Sequence, residues 1–164
     1  MRRRWTLTAV LAGLLLVPVS ASSAAAQAGP ATAPAGARTS TLAVAPSFSD
    51  RVLALTNRER TVRGLRPLAF SACADGFADR WAGSLSRAGT LSHQPLRPVL
   101  TTCRARQVGE NVAVGAVTPE QLVAMWMASP PHRANLLQVR STHLGVGAVT
   151  TAGRTYGVQV FLTL

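Results

Sequence analysis

Residues 118–137 read TPEQLVAMWMASPPHRANLL, a stretch with clear helix boundaries. Thr118 is favoured as a helix N-cap, the proline after it suits the first helical position, and Gln121 completes a capping box. This helix is expected to end at Ser129, because two prolines follow and the residue before a proline is pushed out of the helical region. Ser129 is then expected to cap a further short helix, which carries His132.

Two longer helices are predicted upstream. The first begins near Phe48, where Ser49-Asp50 offers a cap, and stops at Gly64. The second runs from Ser71 to Gly89. Its apolar stripe is predicted to consist of Cys73, Phe77, Trp81 and Leu85, which lie four residues apart.

The remaining segments predict a loop and strands. Residues 90–108 lack periodicity and are expected to form a long loop, and 112–114 a short buried strand that begins at Gly109. Residues 143–150 and 154–164 are β-branched, glycine-punctuated runs that predict an antiparallel hairpin. The order helix, helix, strand, helix, short helix, hairpin predicts an α+β sandwich.

The N-terminus has the pattern of a secretory signal peptide. Three arginines, Arg2–Arg4, precede an apolar run over 5–19, and small residues with an Ala-x-Ala site follow. The run is shorter than the roughly 20 residues of a membrane span, so an uncleaved anchor is the weaker alternative. We therefore predict a signal peptide over 1–28, an Ala/Pro-rich spacer over 29–47 and one domain over 48–164. Such a protein is secreted, and is extracellular or cell-wall associated.

Composition excludes several function classes. The 164 residues include 17 arginines, no lysine and six acids, for a formal net charge of +11. Removing the three arginines of the leader from +11 leaves +8. A hydrophobic content of 48% argues against disorder, and there is no glycine-rich phosphate loop and no Gly-x-Ser-x-Gly motif. No basic stretch is interleaved with aromatics, which argues against a dedicated nucleic-acid site. After the leader, no apolar run is long enough to cross a bilayer.

The two cysteines, Cys73 and Cys103, both lie in the predicted domain. An exported protein meets oxidising conditions, so an even pair is most simply a disulfide. Two buried thiols and a soft metal site are the alternatives, although the 30-residue gap matches no zinc-site spacing.

Three side chains with chemical potential lie at predicted element boundaries: His93, Glu110 and His132. Two imidazoles and a carboxylate suffice for an open His₂Glu divalent-metal site that keeps a position for water. The same groups can transfer protons without a metal. They can also be ordinary surface or hydrogen-bonding residues, because their separation along the chain says nothing about proximity.

Several short sequence motifs occur in this chain in a characteristic order. They are Asn57–Arg60, Gly64–Leu68, Ser92-His93, Gly109–Asn111, Trp126–Leu137, Leu144–Gly147 and Tyr156–Phe161. In this order they resemble the CAP superfamily, the SCP-like extracellular domain of cysteine-rich secretory proteins, antigen 5 and plant pathogenesis-related proteins. The match is nearest to its short bacterial branch and covers Phe48 to Leu164. The resemblance implies a three-layer α-β-α sandwich with a central cleft.

The resemblance also implies a site. In the family two histidines and acidic residues line the cleft, and several members bind a divalent cation there. Carried over by motif, these are His93, Glu110 and His132, with zinc or a similar ion as the cofactor. Here Ser129 stands where the eukaryotic pattern has a second acid, so the site is less negative and any metal binding is expected to be weak. The supporting residues implied are Asn111, Ser129, Arg133, Asn135 and Gln159.

Three functions follow as hypotheses. The first is an extracellular binding module with a cleft, a weak cation site and a small-molecule, lipid or peptide ligand. The second is a metal-assisted hydrolase that acts on peptide or cell-envelope polymer. The third, suggested by the net charge alone, is an electrostatic binder of anionic envelope polymers.

Overall fold

A computed structural model describes residues 45–164 of the chain, so the expected signal peptide and most of the spacer lie outside the described residues. The elements are α1 (Phe48–Thr61), β1 (Ala69–Phe70), α2 (Ala72–Ala88), α3 (Leu96–Thr102), β2 (Gln107–Gly115), α4 (Pro119–Ala128), α5 (Pro130–Leu136), β3 (His143–Thr151) and β4 (Arg154–Thr163). The strands form one sheet in the order β1-β3-β4-β2. β1 pairs parallel to β3, and the other pairs are antiparallel.

The helices cover both faces of this sheet. On one face α2 packs against β3 and β4 and α3 contacts β2, while on the other α1 contacts β3 and α4 contacts β2. Each face has its own apolar cluster, one around Trp126 and Phe161 and one around Leu85 and Val160. The three-layer α-β-α sandwich is therefore confirmed.

Of the apolar stripe predicted for α2 only Leu85 is buried, and the other three positions are displaced by one residue. The side chains that face the sheet are Ala74, Ala78, Ala82 and Leu85, all buried, whereas Cys73, Phe77 and Trp81 are half-buried. Two glycines of β3 explain the difference. A Cβ built on Gly145 would lie 2.0 Å from the Asp75 backbone nitrogen, and one on Gly147 would lie 2.3 Å from Ala78 backbone atoms. The helix backbone rests directly on the strand, so only small residues fit between them.

Helix boundaries follow their capping chemistry. α1 begins at Phe48, as predicted, but its N-cap is Ser47 instead of Ser49, and Ser47 forms a reciprocal capping box with Asp50. Thr118 and Gln121 form the predicted box at the start of α4. The predicted cap of α2 is likewise present, since the Ser71 side chain accepts from the Ala74 amide.

Three elements differ from the sequence prediction. The loop over 90–108 contains α3, which no capping signal announced, since the residue before it, Pro95, makes no side-chain cap. Burial of Val99 on β2 and β4 side chains accounts for this helix instead. The strand expected at 112–114 extends over all of β2 because each of its residues pairs with β4. The two-residue β1 was not predicted.

Arg60 is 1% exposed and joins three segments from inside the protein. Its guanidinium donates to the carbonyls of Arg66 at 2.9 Å, Leu136 at 2.8 Å and Gln138 at 3.0 Å. Burial lowers the pKa of Arg60 from its usual value. A cation hydrogen-bonded in this way ties the end of α1 to the end of α5, where it also complements the helix dipole.

Cys73 and Cys103 form a disulfide, which confirms the simplest interpretation of the pair. It joins the first turn of α2 to the residue after α3, and thereby fixes the segment that carries His93. Within residues 45–164, no helix has the length and apolarity that crossing a membrane requires.

Candidate functional site

The centre of the candidate site is a hydrogen bond between a histidine and a buried carboxylate. His93 Nδ1 lies 2.6 Å from Glu110 Oε1. The His93 side chain is 59% exposed and that of Glu110 is 1% exposed. Glu110 is on β2, and His93 is in the loop before α3. The carboxylate therefore fixes the orientation of the imidazole through Nδ1. The other ring nitrogen, Nε2, takes no part in this bond.

Gln94 makes two further bonds to the same carboxylate. Its backbone N–H donates to Glu110 Oε1 at 3.2 Å, and its side-chain amide donates to Oε2 at 2.6 Å. Gln94 is itself buried. Both oxygens of Glu110 thus accept hydrogen bonds inside the protein, which is how a buried carboxylate is stabilised where no arginine or lysine pairs with it.

His132 lies in α5, and its ring is close enough to His93 for electrostatic coupling. Burial lowers the pKa of His132 below its usual value, and the charge on His93 lowers it further. The backbone of His132 is held by the sheet, since Asn111 Nδ2 donates to the His132 carbonyl at 3.2 Å. The structure therefore brings His93 and Glu110 into contact and places His132 near His93.

The supporting amides Asn111, Asn135 and Gln159 form one connected network. Asn135 Nδ2 donates to the Glu110 carbonyl at 3.0 Å and to Asn111 Oδ1 at 2.9 Å. Asn111 Nδ2 donates to Gln159 Oε1 at 3.1 Å, and Gln159 Nε2 donates to Thr56 Oγ1 at 2.8 Å. The network ties α5 to β2, β4 and α1, and its side-chain bonds hold these elements rather than leaving groups free for a ligand.

Ser129 and Arg133 are not brought into the same set of contacts. Ser129 is the N-cap residue of α5 but makes no side-chain cap bond. Arg133 is exposed on the same helix and forms no ion pair within the described part of the chain. Both flank His132 without a hydrogen bond to His93 or Glu110.

Sequence reasoning missed Gln94, Thr56 and the role of Trp81. Trp81 Nε1 donates to the Ser92 carbonyl at 2.8 Å, which positions the loop one residue before His93. Only the adjacency of Gln94 to His93 could have drawn attention to it. Thr56 contributes by accepting a hydrogen bond from Gln159, which is 103 residues away in the sequence, so no local pattern reveals it.

The donor set does not fit a three-ligand metal site. Within residues 45–164, no three His, Cys, Asp or Glu side chains are grouped to hold a metal ion. The reason lies in Glu110, whose oxygens already accept from His93 and Gln94. In many metal sites a histidine binds the metal through one ring nitrogen and donates its other ring N–H to a carboxylate, which orients the ring. Glu110 has the position of such an orienting carboxylate. The nitrogens that remain for a cation are those of two imidazoles.

The family model described as the cysteine-rich secretory protein family, CAP, matches residues 53–163, more than half of the chain. The chain belongs to the CAP family. The bacterial relatives agree with this membership. Uncharacterized protein YkwD of Bacillus subtilis is 34% identical over 131 residues, which cover 73% of this chain and 50% of YkwD. The chain therefore spans about half the length of that relative.

Solved CAP structures share the fold. An extracellular protein containing an SCP domain from Bacillus anthracis superposes with a TM-score of 0.65 at 24% identity, covering 71% of this chain and 40% of that one. An outer surface protein from Borrelia burgdorferi has a TM-score of 0.63 at 19% identity, covering 68% of this chain and 89% of that one. Both similar proteins are described as extracellular or as surface proteins.

Proposed function

We propose that this CAP domain is an extracellular binding module whose cleft presents two imidazoles, His93 and His132, to a divalent cation or a polar ligand group. The observation that carries the proposal is the bond between His93 Nδ1 and Glu110. It directs Nε2 outward and fixes the orientation of the ring. Glu110 acts as the positioning residue for His93 and is not counted as a ligand.

A two-imidazole site is expected to bind a cation weakly. Structural and catalytic zinc sites use three or four protein ligands, and the second carboxylate of the eukaryotic pattern is replaced here by Ser129. When bound, a zinc ion would polarise a ligand oxygen. His93 and His132 would hold the ion, while Glu110 and Gln94 would keep His93 oriented.

A hollow beside the site offers room for an organic ligand. It has a volume of about 220 Å³ and borders the site through Gln94. Four of its lining residues are apolar, Phe77, Trp81, Pro95 and Pro98, and the other two besides Gln94 are Arg80 and Ser84. A largely apolar hollow with a few placed polar groups is typical of small-molecule and peptide sites. The ligand classes that fit are a small molecule, a peptide segment or a lipid tail, with the imidazoles contacting its polar end.

Zinc titration followed by NMR tests the proposal. On addition of zinc chloride, we expect the ring signals of His93 and His132 to shift together, because both nitrogens bind the same ion. His143, the third histidine of the chain, serves as the matched control, since its Nδ1 is 2.9 Å from Thr142 Oγ1 at the start of β3. Its signals are expected to stay in place.

Variants extend the same experiment. His93→Ala or His132→Ala is expected to abolish the shift at the other ring, and His143→Ala to leave it intact. Glu110→Gln should weaken zinc binding by about 10- to 100-fold, which is the usual effect of removing a residue that hydrogen-bonds and orients a metal ligand. Unchanged zinc affinity in both His93→Ala and His132→Ala would refute the shared site.

The alternative is a hydrolase, favoured by the same histidine–carboxylate pair. His93 Nε2 can take a proton from water as the water attacks a carbonyl, while Glu110 stabilises the imidazolium that forms. This hypothesis requires turnover of peptide or envelope-polymer substrates that His93→Gln abolishes. If broad substrate panels give no turnover with the intact protein while zinc still binds, the binding module stands and the hydrolase fails.

A further inference from the structure

One end of the sheet gathers segments that are far apart in sequence. The Arg106 amide donates to the Thr163 carbonyl at 2.8 Å, and Thr163 Oγ1 donates to the Arg140 carbonyl at 3.0 Å. Arg66 lines a hollow together with Pro67, Ser141 and Thr142. The turn after α3, the loop after α5 and the loop after α1 therefore meet where β4 ends.

Four arginines are exposed there, which we call the basic end: Arg66, Arg104, Arg106 and Arg140. None of them forms an ion pair within the described residues. The loops that form this end, 64–68, 103–106 and 137–142, contain no Asp or Glu. The Leu164 amide donates to Thr142 Oγ1 at 3.1 Å, which holds the end of β4 against the loop after α5. Four guanidinium groups with no acidic side chain in the same loops make this end of the sheet positive.

Two hollows lie at this end of the sheet, and Arg66 lines the larger of them. One has a volume of about 160 Å³ and includes Ser141 and Thr142. Another, of about 50 Å³, also includes Ser141. The polar side chains that line the smaller hollow are Gln107, Asn135, Gln138, Ser141 and Thr163. The basic end thus has guanidinium groups together with hydroxyl and amide groups.

We propose that the basic end binds a polyol phosphate, an extracellular polymer in which phosphodiesters alternate with hydroxylated carbon units. Arginine presents a planar fork of donors that matches two oxygens of a phosphate. The hydroxyl and amide groups of the hollows can hydrogen-bond the hydroxyls between phosphates. The smaller hollow shares Asn135 with the amide network of the candidate site, but neither hollow is lined by His93, Glu110 or His132. The inference therefore goes beyond the binding module proposed above.

The same features disfavour a nucleic acid. Binding of single strands depends on aromatic side chains on which bases stack, and the linings of the two hollows contain one aromatic residue, Phe161, which is 2% exposed. Phe70 on the adjacent β1 is 58% exposed, but a single ring can stack on only one base. A nucleic acid would therefore gain electrostatic attraction at the basic end but limited stacking.

The test compares two double variants that remove the same charge from opposite ends of the sheet. Arg106→Gln/Arg140→Gln alters the basic end. Arg87→Gln/Arg154→Gln alters the hairpin end, where Ser86 Oγ lies 2.8 Å from Thr151 Oγ1. The ten residues of β4 separate the ends by about 30 Å. The probe is synthetic poly(glycerol phosphate), and its affinity for the full chain is measured from low to high sodium chloride.

We expect affinity to fall with salt, as it does when phosphates release counterions. Loss of two phosphate contacts should flatten the slope of log K against log salt by about 1.4 and weaken binding about tenfold at low salt, while the hairpin-end pair keeps the wild-type slope. Arg66→Gln alone should flatten it by about half as much. Equal melting temperatures check that the variants fold.

Three results would overturn the proposal. They are no binding of poly(glycerol phosphate), equal weakening by the hairpin-end pair, and a single-stranded oligodeoxynucleotide of equal charge that binds as tightly as the probe. Zinc titration of the Arg106→Gln/Arg140→Gln protein separates the two proposals, because the shifts at His93 and His132 should persist in it.

Discussion

At the residue scale, the site depends on how one carboxylate is occupied. Glu110 is buried without an arginine, and its oxygens accept from His93 and Gln94. The sequence suggested His93, Glu110 and His132 because polar residues at element ends can face a common cleft. It could not assign the carboxylate to the imidazole instead of a cation, since that depends on the path of the loop that Trp81 holds.

The coupling between His93 and His132 can be measured directly. Burial and the charge on His93 both lower the pKa of His132 from 6.5, and burial is the larger cause. In His93→Gln the second cause disappears, so the pKa of His132 should rise but stay below 6.5. NMR signals of the His132 ring recorded across pH 4–8 give its pKa in the wild type and in His93→Gln. His143→Gln is the control, and a His132 pKa that moves only in that variant would contradict the proximity of the two rings.

At the element scale, α2 illustrates what hydropathy alone cannot settle. Periodicity located the helix and both its ends, Ser71 and Gly89. It selected Phe77 and Trp81 for the buried stripe because they are the most apolar, yet alanines occupy it. The small residues are required because α2 packs closely on the glycines of β3, which lie about 70 residues further along the chain. The distance between helix and strand therefore depends on both segments and cannot be derived from the helix sequence alone.

Gly147→Ala tests this close approach. Its Cβ would meet backbone atoms of Ala78 at 2.3 Å, and backbone cannot move aside as a side-chain tip can. We expect the free energy of unfolding to fall by about 1–3 kcal/mol, measured by urea denaturation. Gly83→Ala within α2 is the matched control: its Cβ would meet only the flexible end of Arg87 at 3.3 Å, so stability should rise by about 0.5–1 kcal/mol. Equal effects in the two variants would contradict the packing described.

At the scale of the whole molecule, the architecture followed from the order of elements, while the way its parts are tied together did not. The resemblance supplied the three layers and the neighbourhood of the histidines. The ties come from contacts between distant residues: Arg60 with the end of α5, Gln159 with Thr56, and Cys73 with Cys103. Of these, the compartment inferred from the leader predicted only the disulfide.

The disulfide carries a prediction for the entire domain. It spans 30 residues, so the double variant Cys73→Ser/Cys103→Ser should lose about 3–4 kcal/mol of unfolding free energy by the loop-entropy relation. Because His93 and Gln94 lie within the closed loop, zinc-induced shifts should broaden in the variant even below its melting temperature. Wild-type protein treated with reductant should behave in the same way. A stability loss near zero would mean that the packing of α3 alone holds the loop.

The two outer strands have a consequence for behaviour at high concentration. An unpaired strand edge invites another chain to pair with it, and this is a common route to aggregation. On one side of the sheet β1 covers only the first two residues of β3; beyond it Gly145, Val146 and Gly147 are buried, and the Val146 amide donates to Asp75 Oδ1 at 3.1 Å. β2 is nine residues long, but Glu110 through Ala113 are buried, which leaves little continuous edge for a second molecule. The described part of the fold thus leaves little free strand edge, and its geometry discourages sheet-to-sheet association at high concentration.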